Sequence, residues 1–173
     1  MKERALDWYE NSYVYDDTAG EDVDVYIIDS GADLKHPEFT QGADIASSAR
    51  WLYAGLDPDG TTPEDDSEFT AGSQDSGPGH GTCMLGIVGG HWYGVAKKIN
   101  PILVRIPRPD LKAPVGARYK RYLDAVLRVI DDVGEGKRAI LNMSFFIRRR
   151  DVITGQLTFS NPDEPQHRCL GRI

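Results

Sequence analysis

"VDVYIIDSG", residues 23–31, decides how the rest of the chain is read. A run rich in β-branched side chains ends in an acid, Asp29, and then a Ser-Gly pair, which predicts a buried strand over 23–29 that stops at a turn. The run is nearly continuous in apolar character rather than alternating. That pattern belongs to a strand covered on both faces, as in a parallel sheet.

The signature recurs in "PILVRI" at 101–106 and "AILNMSF" at 139–145, and more weakly within 43–53, where Ser47 and Ser48 interrupt it. Between the strands lie helical patterns. "GTCMLGIVGG", 81–90, predicts a helix stopped by the Gly89-Gly90 pair. Gly86 inside it costs about 1 kcal/mol relative to alanine, so another backbone is expected to approach it closely. "RYKRYLDAVLRVIDDVGEG", 118–136, spaces Tyr119, Tyr122, Leu123, Val126, Leu127 and Ile130 as the buried face of a second helix. Strands alternating with helices predict an α/β fold, a mainly parallel sheet between two helical layers. Residues 55–79, with "PEDDSE" at their centre, read as a long exposed connection, and Pro165 onward as the opening of a short helix.

The totals bound the class. The 173 residues are 40 % hydrophobic and 27 % charged, which suits one globular domain, and no apolar run reaches the roughly 18 residues of a membrane span. Residues 1–96 hold 19 Asp/Glu against 4 Lys/Arg, and 97–173 hold 8 against 16. Folded together the halves neutralise each other, and the net charge of −7 argues against a nucleic-acid partner. "IRRRD", 147–151, reads as a solvated edge. Cys83 and Cys169 are too few for a disulfide framework and neither lies in a CxxC pair, so no structural zinc is expected; Cys83 is expected as a buried free thiol. "MKERALDWYE" lacks the apolar core of a signal peptide, which leaves the compartment open.

In a parallel α/β sheet, sites form beyond the carboxyl ends of strands, and Asp29 stands there. "SGPGHGTCMLGIVGG", 76–90, brings His80 to the mouth of the next helix behind a glycine-rich segment able to carry it over the same edge. A strand-end carboxylate held by the backbone donors of Ser30 and Gly31 can orient an imidazole. Gly81 leaves room beside the histidine, and Thr82 can hydrogen-bond nearby backbone.

Taken in this order, "YVYDDTAGEDVDVYIIDSGADLKHPEF", "GHGTCMLGIVGGHWYGVAKK" and "AILNMSF" resemble the catalytic-aspartate segment, the catalytic-histidine helix and the cleft strand of the subtilisin-like serine peptidases, most closely the proteinase K-like branch. The resemblance spans roughly 13–146 and implies that family's three-layer sandwich. By it Asp29 orients the imidazolium and His80 acts as general base and then general acid, while Ser144 and Phe145 border bound substrate, which is a peptide or protein. The family is typically secreted, and its loops often hold calcium. The acidic run 57–68 carries no clear motif for calcium and reads as a solvated charge run, so no cofactor or metal site is predicted.

The pattern also breaks. The family's nucleophile lies in a GTSMAxP segment, and the only GT pairs here are Gly60-Thr61 and Gly81-Thr82-Cys83. The oxyanion-hole asparagine has no counterpart either. Loss of the nucleophile costs on the order of a million-fold and loss of one oxyanion donor about a hundred- to a thousand-fold, magnitudes that come from subtilisin itself. "PRPDLKAPVG", 107–116, replaces a Gly/Ser-rich cleft wall and removes backbone donors that an extended peptide uses. Cys83, three residues after His80, is disfavoured both as a substitute nucleophile, because burial among apolar residues raises a thiol's pKa, and as a metal ligand with Asp29 and His80, because no second histidine stands at ligand spacing.

The expectation is therefore a single partial peptidase domain: an arm at 1–22, the family-like α/β region at 23–146 and a divergent tail at 147–173. It is expected to be truncated on its C-terminal side and inactive alone, its open sheet edge free for a partner. The alternative is a pseudoprotease that acts as a binding or regulatory module.

Overall fold

A computed structural model describes residues 14–42, 45–56, 60, 79–107, 112 and 115–145. In chain order the elements are β1 (Val23–Asp29), α1 (Pro37–Thr40), α2 (Ile45–Ser48), β2 (Arg50–Tyr53), α3 (His80–Gly89), β3 (Asn100–Arg105), α4 (Val115–Asp132) and β4 (Arg138–Asn142). The strands form one sheet ordered β2-β3-β1-β4, and every pairing is parallel.

The α/β reading holds, and β1 and α3 fall where the sequence placed them. β2 is shorter than the 43–53 run suggested, because Ser47 and Ser48 belong to the single turn of α2, where Ser48 Oγ donates to the Ile45 carbonyl at 3.1 Å. The long connection of 55–79, the acidic run 57–68 and the tail from residue 146 lie outside the described residues, save Gly55, Leu56, Gly60 and Gly79.

Two apolar layers hold the sheet, and the period of two along each strand sorts side chains between them. Val25 and Ile27 of β1 and Leu103 of β3 join Phe39, Ile45 and Leu85 of α1, α2 and α3 on one face. Tyr26 and Ile28 join Ile102, Val104, Tyr122, Ala125 and Val129 on the other, beneath α4. The chain thus leaves β1 toward one face through α1 and α2, and leaves β3 toward the opposite face through α4. Adjacent strands whose connections depart to opposite faces open a crevice at their carboxyl ends. Asp29 ends β1 at that crevice, in register with Arg105.

The face of α4 differs from expectation. Tyr122, Ala125 and Val129 are buried and Val126 partly so, whereas Leu123, Leu127 and Ile130 are exposed; the side chain of Tyr119 lies outside the described residues. Two contacts set the helix's rotation: Arg128 Nε donates to the Tyr53 carbonyl at 3.2 Å, and Asp132 accepts both guanidinium nitrogens of Arg50 at 2.8 and 2.6 Å. They draw that flank toward β2 and turn the opposite flank outward. Helical spacing gives the period of a stripe, but contacts with the sheet choose its phase.

Two further expectations are corrected. At Gly86 an added Cβ would meet only the Glu38 side chain, at 3.8 Å, so no backbone approaches there. Cys83 is not a free thiol but is disulfide-bonded, which removes it as a nucleophile or thiolate ligand; the sequence's other cysteine, Cys169, lies outside the described residues.

Candidate active site

Asp29 reaches the carboxyl rim because β1 ends there, and its side chain points to the α3 face with Val25 and Ile27, four and two residues earlier. The carboxylate is 5 % exposed. Ser30 fixes one oxygen: its N–H donates to Asp29 Oδ1 at 2.7 Å and its hydroxyl at 3.1 Å. The other oxygen, Oδ2, lies 2.8 Å from His80 Nδ1. A carboxylate only accepts, so Nδ1 carries the proton.

His80 is the first residue of α3, which places the ring at the helix mouth above the sheet edge, 27 % exposed. The preceding Gly79 has φ +83°, a left-handed turn that glycine adopts without steric cost and that swings the chain into the helix. Gly81 performs a different task. A Cβ there would overlap the Gly31 carbonyl oxygen and press on Asp29 Cβ and Oδ1 at 3.1 Å, so the missing side chain is what lets α3 settle onto the β1 turn. Thr82 Oγ1 accepts the Asp33 N–H at 2.9 Å and ties the same two segments.

Chemically, an imidazole gripped at Nδ1 by a buried carboxylate has its tautomer and orientation fixed, and the carboxylate stabilises the imidazolium formed when the ring takes a proton. Ser144 and Phe145 follow β4, which runs parallel to β1 and so ends at the same rim. Ser144 Oγ donates to Asn142 Oδ1 at 2.9 Å, and the Phe145 ring packs on Tyr122 with centroids 4.4 Å apart. The structure brings Asp29 and His80 into contact and engages the side chains of Ser144 and Phe145 in local packing. Among the described residues, no three or more His, Cys, Asp or Glu side chains gather as metal ligands, and no helix is long and apolar enough to cross a membrane.

One supporting arrangement was not legible in the sequence. Buried Glu38 accepts the backbone N–H groups of Trp92 and Tyr93 at 2.9 and 2.8 Å through Oε1, and its carbonyl accepts the His91 N–H at 2.8 Å. Lys97 Nζ donates to the carbonyls of Gly90, His91 and Gly94. An anion on the amides and a cation on the carbonyls together clamp the loop that follows α3, and so anchor the far end of the helix that carries His80. A glutamate between Pro37 and Phe39 gave no sequence signal of this.

A parallel sheet with a carboxylate–imidazole pair at its switch point is the architecture of the subtilisin-like serine proteinases. A solved cold-adapted subtilisin-like serine proteinase superposes with a TM-score of 0.51 at 25 % identity, over 78 % of this chain and 40 % of that one. Among curated proteins, a subtilisin-like protease of Coccidioides posadasii is 39 % identical over 147 residues, which is 81 % of this chain and 30 % of the relative. Subtilisin-like protease 2 of Trichophyton rubrum is 32 % identical over 136 residues, 76 % of this chain and 26 % of the relative. No protein-family profile matches the chain. The chain belongs to the subtilisin-like protease family, and it spans less than a third of the length of these curated relatives.

Proposed function

We propose that residues 14–145 carry the carboxylate–imidazole half of a serine endopeptidase site. Asp29 orients His80 and stabilises its imidazolium, and His80 takes the proton of a serine hydroxyl and returns it to the leaving amine. The observation behind this reading is the 2.8 Å contact between a buried carboxylate and an imidazole drawn from segments 51 residues apart, at the rim where an α/β sheet holds ligands. The names of the relatives, subtilisin-like proteases, favour the same chemistry. Ser144 and the backbone at Phe145 form the edge along which a peptide substrate lies, a role supported by their position past the end of β4.

The 173 residues contain neither a GTSMAxP serine nor an assigned oxyanion asparagine, and by themselves they are inert toward peptide bonds. The test has two arms. The purified chain is exposed to a fluorogenic peptide and a serine-directed fluorophosphonate, and neither hydrolysis nor labelling is expected; labelling abolished by His80→Ala would refute inertness. In the second arm, the segment that follows the matched region in the Coccidioides posadasii relative is joined after Phe145. His80→Ala in that chimera is expected to lower kcat about a million-fold and Asp29→Asn about ten-thousand-fold. A chimera that cleaves peptides equally well without either group sinks the site assignment, and peptide binding without cleavage selects the non-enzymatic reading.

A further inference from the structure

The helix turn that carries His80 is held sideways to the segment that follows β1. α3 begins after Gly79, an N-cap residue with no side chain of its own to offer the first amides. Helix ends fray, and a hydrogen bond weakens steeply with small losses of distance and alignment. Yet the ring sits 2.8 Å from Asp29.

A lateral tie runs from this turn to the segment after β1. Thr82 Oγ1, two residues beyond His80, accepts the N–H of Asp33, four residues beyond Asp29, at 2.9 Å. The link joins positions 49 apart in sequence, and its ends lie on the two segments that carry the carboxylate and the imidazole. Gly81 sits between them without a side chain, so the helix rests directly on the turn after β1. Asp33 is itself exposed, so without Thr82 its amide would turn to water and the turn would lose its hold on the helix.

We propose that Thr82 is a positioning residue: acting through the Asp33 amide, its hydroxyl sets the spacing and angle between Asp29 and His80. This rests on the Asp29–His80 reading above, and the experiment separates the two. The ¹⁵N-labelled chain is examined by NMR for the His80 Nδ1–H proton, visible only while a partner shields it from exchange, and for hydrogen exchange at the Asp33 amide. Wild type and Thr82→Ser are expected to show the imidazole proton and a protected Asp33 amide. Thr82→Val, which keeps shape and helix propensity but not the acceptor, is expected to lose the proton by broadening and to lower Asp33 protection by about three- to tenfold, the size of one net hydrogen bond. A folded Thr82→Val with an undiminished imidazole proton overturns the proposal, as does its loss in Thr82→Ser, which would assign the effect to the methyl group. An imidazole proton absent from the folded wild type overturns the site reading itself. Should Thr82→Val not fold, the wild-type amide decides: exchange at the rate of an open loop overturns the proposal, and protection of about tenfold or more supports it.

Discussion

Two glycines five residues apart on α3 should answer the same substitution in opposite directions. At Gly81 an added methyl overlaps the Gly31 carbonyl oxygen, a backbone atom that no rotamer change can move, and crowds Asp29 Cβ and Oδ1 at 3.1 Å. Overpacking of this kind costs about 3 kcal/mol at the upper end of its range, offset by about 1 kcal/mol of helix propensity gained over glycine. The net loss for Gly81→Ala is therefore about 2 kcal/mol. At Gly86 the methyl meets only Glu38 Cγ at 3.8 Å, ordinary contact with a side chain, so Gly86→Ala keeps its propensity gain of about 0.4 to 1 kcal/mol. For a chain of this size 1 kcal/mol moves Tm by about 2–4 °C, so thermal melts followed by circular dichroism should place the Gly81 variant roughly 4–8 °C below wild type and the Gly86 variant a few degrees above it. A Gly81→Ala variant as stable as Gly86→Ala would show that α3 does not lie on the β1 turn, and the geometry of Asp29 and His80 would go with it.

Three other tests address the supports of the site. The Asp132 carboxyl is held below the usual carboxylate range first by its hydrogen bonds to Arg50 and then, against the opposing effect of burial, by the Tyr26 hydroxyl, which donates to it at 2.8 Å. A depressed carboxyl contributes stability above its unfolded pKa of about 4 and loses it as pH falls through the folded value, so urea midpoints should drop in acid, and Asp132→Asn should remove part of that drop at a cost near neutrality of about 1 kcal/mol. Burial, followed by the bond to Asp132, pushes the Tyr26 phenol up to about 12. A raised phenol gives stability that is complete below its unfolded pKa of about 10 and is lost as pH rises through the folded value; Tyr26→Phe should flatten the alkaline limb of the stability profile, and an unchanged limb would count against this linkage. Lys97→Met should cost about 2–3 kcal/mol in urea unfolding, because the carbonyls of Gly90, His91 and Gly94 lose a charged donor; a change below about 0.5 kcal/mol would mean that the loop after α3 holds itself.

By itself the sequence determined the kind of layer and the chemistry at its rim. The run from Val23 to Asp29 could only be a strand covered on both sides, since its apolar side chains do not alternate, and an acid that ends such a strand must lie at a sheet edge. His80 was legible for a similar local reason, with glycines on both sides and a helical run behind it. Tertiary structure decided what local pattern leaves open. It chose the face of α4, where Ala125 and Val129 turn inward and Leu123, Leu127 and Ile130 do not, because Arg128 and Asp132 anchor the helix toward β2. It assigned Gly81, not Gly86, to the close approach, because only the first turn of α3 meets the backbone after β1. It also recruited Glu38 and Lys97 to hold one loop from either side. A residue's periodicity is written in its neighbours along the chain, whereas phase, contact and charge pairing depend on groups dozens of residues away, and those meet only once the chain has folded.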